Sequence, residues 1–62
     1  MVLSDFYHTE DYWCADRLIF INSECEEVDP YDYMTDEEAG EIGVLGYHTS
    51  EDTGLLEVQL NI

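Results

Sequence analysis

The segment Leu55-Leu56-Glu57-Val58-Gln59-Leu60-Asn61-Ile62 decides the fold. Leu56, Val58, Leu60 and Ile62 alternate with Glu57, Gln59 and Asn61, and successive side chains of a β-strand point to opposite faces. One face is therefore apolar and the other polar, as in a strand laid against a core. Upstream, Thr49-Ser50-Glu51-Asp52-Thr53-Gly54 is a polar run ending in glycine. Before it, Val44-Leu45-Gly46-Tyr47-His48 reads as a second strand, and the two predict an antiparallel hairpin. Further back, Arg17 to Asn22 is rich in β-branched and aromatic residues, and its unbroken apolar run predicts a central strand. Thr35-Asp36-Glu37-Glu38 has capping-box spacing, which predicts a short helix from Asp36 to about Glu41, with Gly43 near its end and Pro30 in the loop before it. Residues 1–16 admit two readings: a helix capped by Ser4 that carries Phe6, Tyr7 and Trp13, or an irregular strand. Trp13 and Phe20 are assigned to the core. The expected architecture is α+β, a single acidic domain over 1–62. It has a small three- or four-stranded, mostly antiparallel sheet with one or two short helices.

Charge is the second dominant feature. The 62 residues include 16 Asp and Glu, one arginine (Arg17) and no lysine, for a formal net charge of −15. A net charge of about 2 to 8 in magnitude is enough for solubility of a small domain, and the excess repels itself and destabilises the compact state. The chain is nonetheless not of disordered type, because 45% of it is apolar and 13% is aromatic, enough to build a core. A domain this short has a thin core and little structure in which to shape a catalytic pocket, so a binding surface is favoured over an active site and the chain is read as a non-enzyme.

The acids concentrate between Glu24 and Glu41, where nine of eighteen residues are acidic and none is basic. Glu24, Glu26, Glu27, Asp29, Asp32, Asp36, Glu37, Glu38 and Glu41 are the candidate partner-binding residues, with Tyr31 and Tyr33 among them. If residues 24–26 are extended, Glu24 and Glu26 point the same way roughly 6.5 to 7 Å apart, similar to neighbouring phosphates along a nucleic-acid strand. On the helix, Glu37 and Glu41 share a face, as do Glu38 and Glu41, and such like-charge pairs each cost a few tenths of a kcal/mol. Tyr31 and Tyr33 either pack on the stems of a partner's Arg or Lys side chains or cover the small core. Proteins that bind nucleic acid meet phosphates with Lys and Arg, and the same basic groove accepts an array of carboxylates. The alternatives are a solvated acidic surface without a partner and a halophilic surface. Against the latter stand the clustering of the acids and the Ile, Tyr and Leu content.

Other chemistries are weaker. Asp29, Asp32 and Asp36 lack the spacing and turn glycine of a calcium loop. His8, His48, Cys14 and Cys25 lack finger-like spacing for zinc, so no metal or cofactor is assigned. Cys14 with His8 or His48 is the sole nucleophile–base pairing, and an anionic field disfavours the thiolate it needs. Phosphates are repelled, so direct nucleic-acid binding is not expected. There is no run of roughly 18 apolar residues and no positively charged leader, and the two cysteines read as reduced thiols. Together these predict a cytoplasmic protein with no membrane role.

In size, charge and lack of lysine the chain resembles the small acidic proteins that phages make against bacterial DNA-handling enzymes: anti-CRISPR proteins, anti-restriction proteins and uracil-DNA glycosylase inhibitors. Val44 to Thr53, followed by an apolar strand, is similar to an acidic hairpin of the glycosylase inhibitors and covers less than a third of the chain. The Glu-Ser pair of their contact strand stands here in reverse, as Ser23-Glu24, and no site residue is carried over. The resemblance implies a DNA mimic that occupies the basic groove of a CRISPR effector, a DNA-repair glycosylase or a restriction enzyme. A different class of function, an acidic adaptor, would use an exposed C-terminal strand to extend another protein's sheet. A metal-buffering role is a third reading.

Overall fold

The computed structural model describes residues 1–62. Helices α1 (Leu3–Phe6) and α2 (Glu10–Cys14) precede strands β1 (Leu18–Ile21) and β2 (Glu27–Val28). A 3-10 turn (Pro30–Asp32), helix α3 (Asp36–Gly40) and strands β3 (Val44–Thr49) and β4 (Leu56–Leu60) follow. The strands form one sheet in the order β2-β1-β4-β3. Both β1–β2 and β3–β4 pair antiparallel, whereas β1 and β4 run parallel. The α+β class holds, and the sheet is mixed.

The alternation in β4 does what its pattern dictates: Leu56, Val58 and Leu60 are buried and Glu57 and Gln59 half-buried. The register carries this face across the sheet. Leu18 and Phe20 lie beside Leu56 and Val58, Val28 beside Phe20, and Tyr47 and Val44 beside Val58 and Leu60. Leu3, Phe6, Ala39 and Ile42 close the core from the helical side, with Leu18, Phe20, Met34, Tyr12 and Tyr47 packed around it. Fully buried Phe6 is its centre, with rings of Tyr12 and Tyr47 at 5.8 and 4.9 Å in edge-on contact. Such pairs add about 0.5–1.5 kcal/mol beyond area burial.

Three expectations are corrected. The C-terminal strand is not an exposed edge: β4 is paired on both sides, because its apolar face must lie in mid-sheet to cover the core. It is therefore not free to extend another sheet. Trp13 is not in the core but 75% exposed. Tyr12 and Trp13 are adjacent on a five-residue helix, where neighbours point about 100° apart, and Tyr12 takes the inward position. Residues 1–16 form two short helices rather than one. Ser4 lies inside α1, whose N-cap is the extended Val2 that bridges Gly43, and Thr9 caps α2 by accepting from the Tyr12 N–H at 3.3 Å. Phe20 is half-buried against the core. No helix is long and apolar enough to cross a membrane.

Between β1 and β2 the Asn22 N–H still donates to Glu26 O at 2.8 Å, which leaves a three-residue loop, 23–25. Cys25 N–H donates to Asn22 O at 3.0 Å, and Asn22 Oδ1 accepts from the N–H groups of Glu24 and Glu26, each at 2.9 Å. This loop class needs a left-handed residue at its third position, here Cys25 with φ 66°. A side chain in that region costs roughly 1–2 kcal/mol that glycine does not pay. Cys25→Gly is therefore expected to raise stability by about 0.5–1 kcal/mol in urea unfolding, and Cys25→Val to lower it. The reverse order would mean that the loop relaxes to another turn.

Candidate functional site

Every carboxylate in the chain is exposed except that of Glu57, which is half-buried. The one ion pair is His48 Nε2 to Glu57 Oε1 at 3.5 Å, which carries opposite charges only when His48 is protonated. Arg17 is exposed and pairs with no carboxylate. The molecule measures 30 × 24 × 18 Å, so at 0.01 M salt, where the screening length is about 30 Å, every carboxylate feels all the others.

The segment 24–41 wraps from the β1–β2 turn through β2 and the 3-10 turn to α3. All nine of its carboxylates are exposed, and three of them also hold backbone or side-chain partners. Asp29 Oδ1 accepts from the Tyr31 N–H at 3.1 Å and so caps the 3-10 turn. Glu38 completes the capping box, accepting from the Thr35 N–H at 3.2 Å while Thr35 Oγ1 accepts from the Glu38 N–H at 3.2 Å. Glu26 Oε1 accepts from Asn22 Nδ2 at 3.3 Å. These bonds fix the orientation of part of the array, and Asp36, Glu37 and Glu38 sit in the first turn of α3, where negative charge is favoured. Glu24, Glu27, Asp32, Asp36, Glu37 and Glu41 make no such side-chain contacts. The helix starts at Asp36 as its capping signal dictates and ends at Gly40, with Glu41 as C-cap.

The extended Glu24–Glu26 pair is not formed. Residues 23–25 are the hairpin turn and Cys25 reverses the backbone, so Glu24 and Glu26 do not lie on one strand face. The loop is instead tied to β4 and the C-terminal residue, through Gln59 Nε2 to the carbonyls of Asn22 and Ser23, each at 3.3 Å, and Ser23 N–H to Ile62 O at 3.0 Å.

The two tyrosines of the segment part company. Tyr31 is 38% exposed, with its ring 6.5 Å from that of Phe20 and its hydroxyl 2.5 Å from that of Tyr7. It covers the edge of the core and presents a surface at once. Tyr33 is 62% exposed. Trp13, which sequence reasoning placed inside, adds an exposed aromatic on the same short helix as the exposed Glu10 and Asp11. The signal available for it was the Tyr12-Trp13 adjacency. No three His, Cys, Asp or Glu side chains converge in a metal-binding group, and Cys14 and Cys25 are both exposed free thiols.

Two tyrosines titrate abnormally. Burial, aided by the Tyr31 hydrogen bond, raises the Tyr7 hydroxyl well above the usual tyrosine value. The Asp11 carboxylate, which accepts the Tyr47 hydroxyl at 3.1 Å, raises Tyr47 in the same direction. A raised pKa in the folded state means tighter proton binding than in the unfolded chain. Its stabilisation is complete below the unfolded value of about 10 and is lost as pH rises through the folded one. The melting temperature is expected to fall from pH 9 to pH 11, and less steeply in Tyr7→Phe. Equal slopes in the variant and the parent would remove Tyr7 from the account.

Comparison with protein-family models, curated proteins and solved structures finds no match to the chain.

Proposed function

We propose that the chain is a binding protein for a strongly basic partner. It would act as a nucleic-acid mimic in the Lys/Arg-lined groove of a bacterial DNA- or RNA-handling protein. The observation that carries this reading is the exterior: sixteen carboxylates, one unpaired arginine and a single histidine contact. The chain supplies almost no counterions of its own, so a partner's Lys and Arg would neutralise the field, releasing the self-repulsion as they bind. The carboxylates held by the Tyr31 and Thr35 N–H groups support the same reading, because a pre-ordered array loses less entropy on binding. Inhibition of a CRISPR effector is the first context, since such effectors hold nucleic acid in a positively charged channel. A DNA-repair glycosylase or a restriction enzyme comes next. The adaptor reading loses its main support because β4 lies within the sheet.

The test is capture from a bacterial lysate at low salt on the immobilised protein, followed by elution with excess duplex DNA. A nucleic-acid-binding protein released by DNA is the expected outcome, and a retained protein indifferent to DNA would overturn mimicry. Glu24→Lys, Glu27→Lys, Asp32→Lys and Glu41→Lys together are expected to abolish that capture while leaving the circular dichroism spectrum unchanged. None of these four carboxylates holds a side-chain or backbone partner in the fold.

A further inference from the structure

Beside β1, where β2 and the 3-10 turn meet, lies a groove of about 610 Å³, within the range of roughly 300–1,000 Å³ typical of ligand pockets. Leu18, Val28, Phe20 and Tyr31 give it an apolar lining, and the exposed acidic residues Glu27, Asp29 and Asp32 also line it. The Tyr31 ring is set in place beforehand: its hydroxyl meets Tyr7, its N–H donates to Asp29 and its ring lies against Phe20. Arg17 precedes β1, yet it is not among the lining residues and pairs with no carboxylate. The groove therefore combines an aromatic face, an aliphatic floor and three negative charges with no cation of the chain's own.

We infer that this groove takes one arginine side chain of a protein partner. Charge complementarity requires a cation, and the apolar floor selects which one. A guanidinium is planar, weakly hydrated and able both to stack on an aromatic face and to fork onto carboxylates. Its aliphatic stem covers apolar surface while its head stays with the charges. A lysine ammonium is a compact, strongly hydrated charge that gains less from Tyr31 and Phe20. The inference rests on the proposed basic partner and names the residue type that partner inserts.

The test is a titration of the 15N-labelled protein with N-acetyl-arginine amide, with N-acetyl-lysine amide and with octalysine, followed by amide chemical shifts. Arginine amide is expected to shift Phe20, Val28, Tyr31 and Asp32 selectively and to bind at least 5-fold more tightly than lysine amide. Glu27→Gln with Asp32→Asn is expected to weaken arginine amide at least 5-fold. Glu51→Gln with Asp52→Asn, the same charge change in the β3–β4 loop, is expected to weaken it less than 2-fold. Shifts spread over the whole chain, equal affinity for the two amides, or equal weakening in the two double variants would each overturn the arginine site. If the site fails in this way while octalysine still binds in a salt-dependent manner, the basic-partner reading survives. If octalysine fails to bind as well, both fall.

Discussion

Mutual repulsion among sixteen carboxylates, with a single arginine to oppose it, is the constraint that the rest of the structure obeys. A buried unpaired carboxylate costs several kcal/mol, and a thin core offers nothing to offset it. All the carboxylates but Glu57 are accordingly exposed, and no buried side-chain polar atom lacks a hydrogen-bond partner. Cohesion is left to a few apolar and aromatic groups, with Phe6 at the centre and β4 as the spine. Tyr7 and Tyr47 widen this core outward, since each packs a half-buried ring against it and leaves its hydroxyl at the surface, where Tyr47 meets Asp11 and Tyr7 meets Tyr31.

The carboxylates are spent in two ways. Asp29 and Glu38 replace missing backbone partners at the starts of the 3-10 turn and of α3. In those positions negative charge assists folding, as the unpaired N–H groups at a helix start demand. Glu26, Asp11 and Glu57 meet Asn22, Tyr47 and His48, Asp36 and Glu37 favour the start of α3, and the rest contribute field. The same segment thus contains both its own supports and the groups they present, and the groove beside Tyr31 lies where the two meet.

Signals local in sequence were legible. The alternation of Leu56, Val58 and Leu60 fixes which face of β4 is buried, and the Thr35–Glu38 spacing places α3 to within a residue. What depends on distant pairing was not. Nothing within Leu18–Ile21 says that it pairs parallel with β4, and without that pairing β4 looks like an edge. Hydrophobicity alone points Trp13 inward, but on a one-turn helix only one of two adjacent aromatics can face the core, and Tyr12 does. The turn at Cys25 escaped because its left-handed position carries no glycine. Of the candidate surface, the acidic segment was visible as composition. The groove, built from Phe20, Val28 and Tyr31, exists only once the sheet is formed.

The central claim, that these carboxylates are held together against their own repulsion, is tested most directly by thermal unfolding at pH 7 across NaCl concentrations from 0.01 to 0.3 M. Screening shortens from about 30 Å to less than 10 Å over that range. The melting temperature is predicted to rise by several degrees as the carboxylates cease to feel one another. A melting temperature that is unchanged or falls would show that the acidic surface is not under electrostatic strain, and the account would lose its foundation.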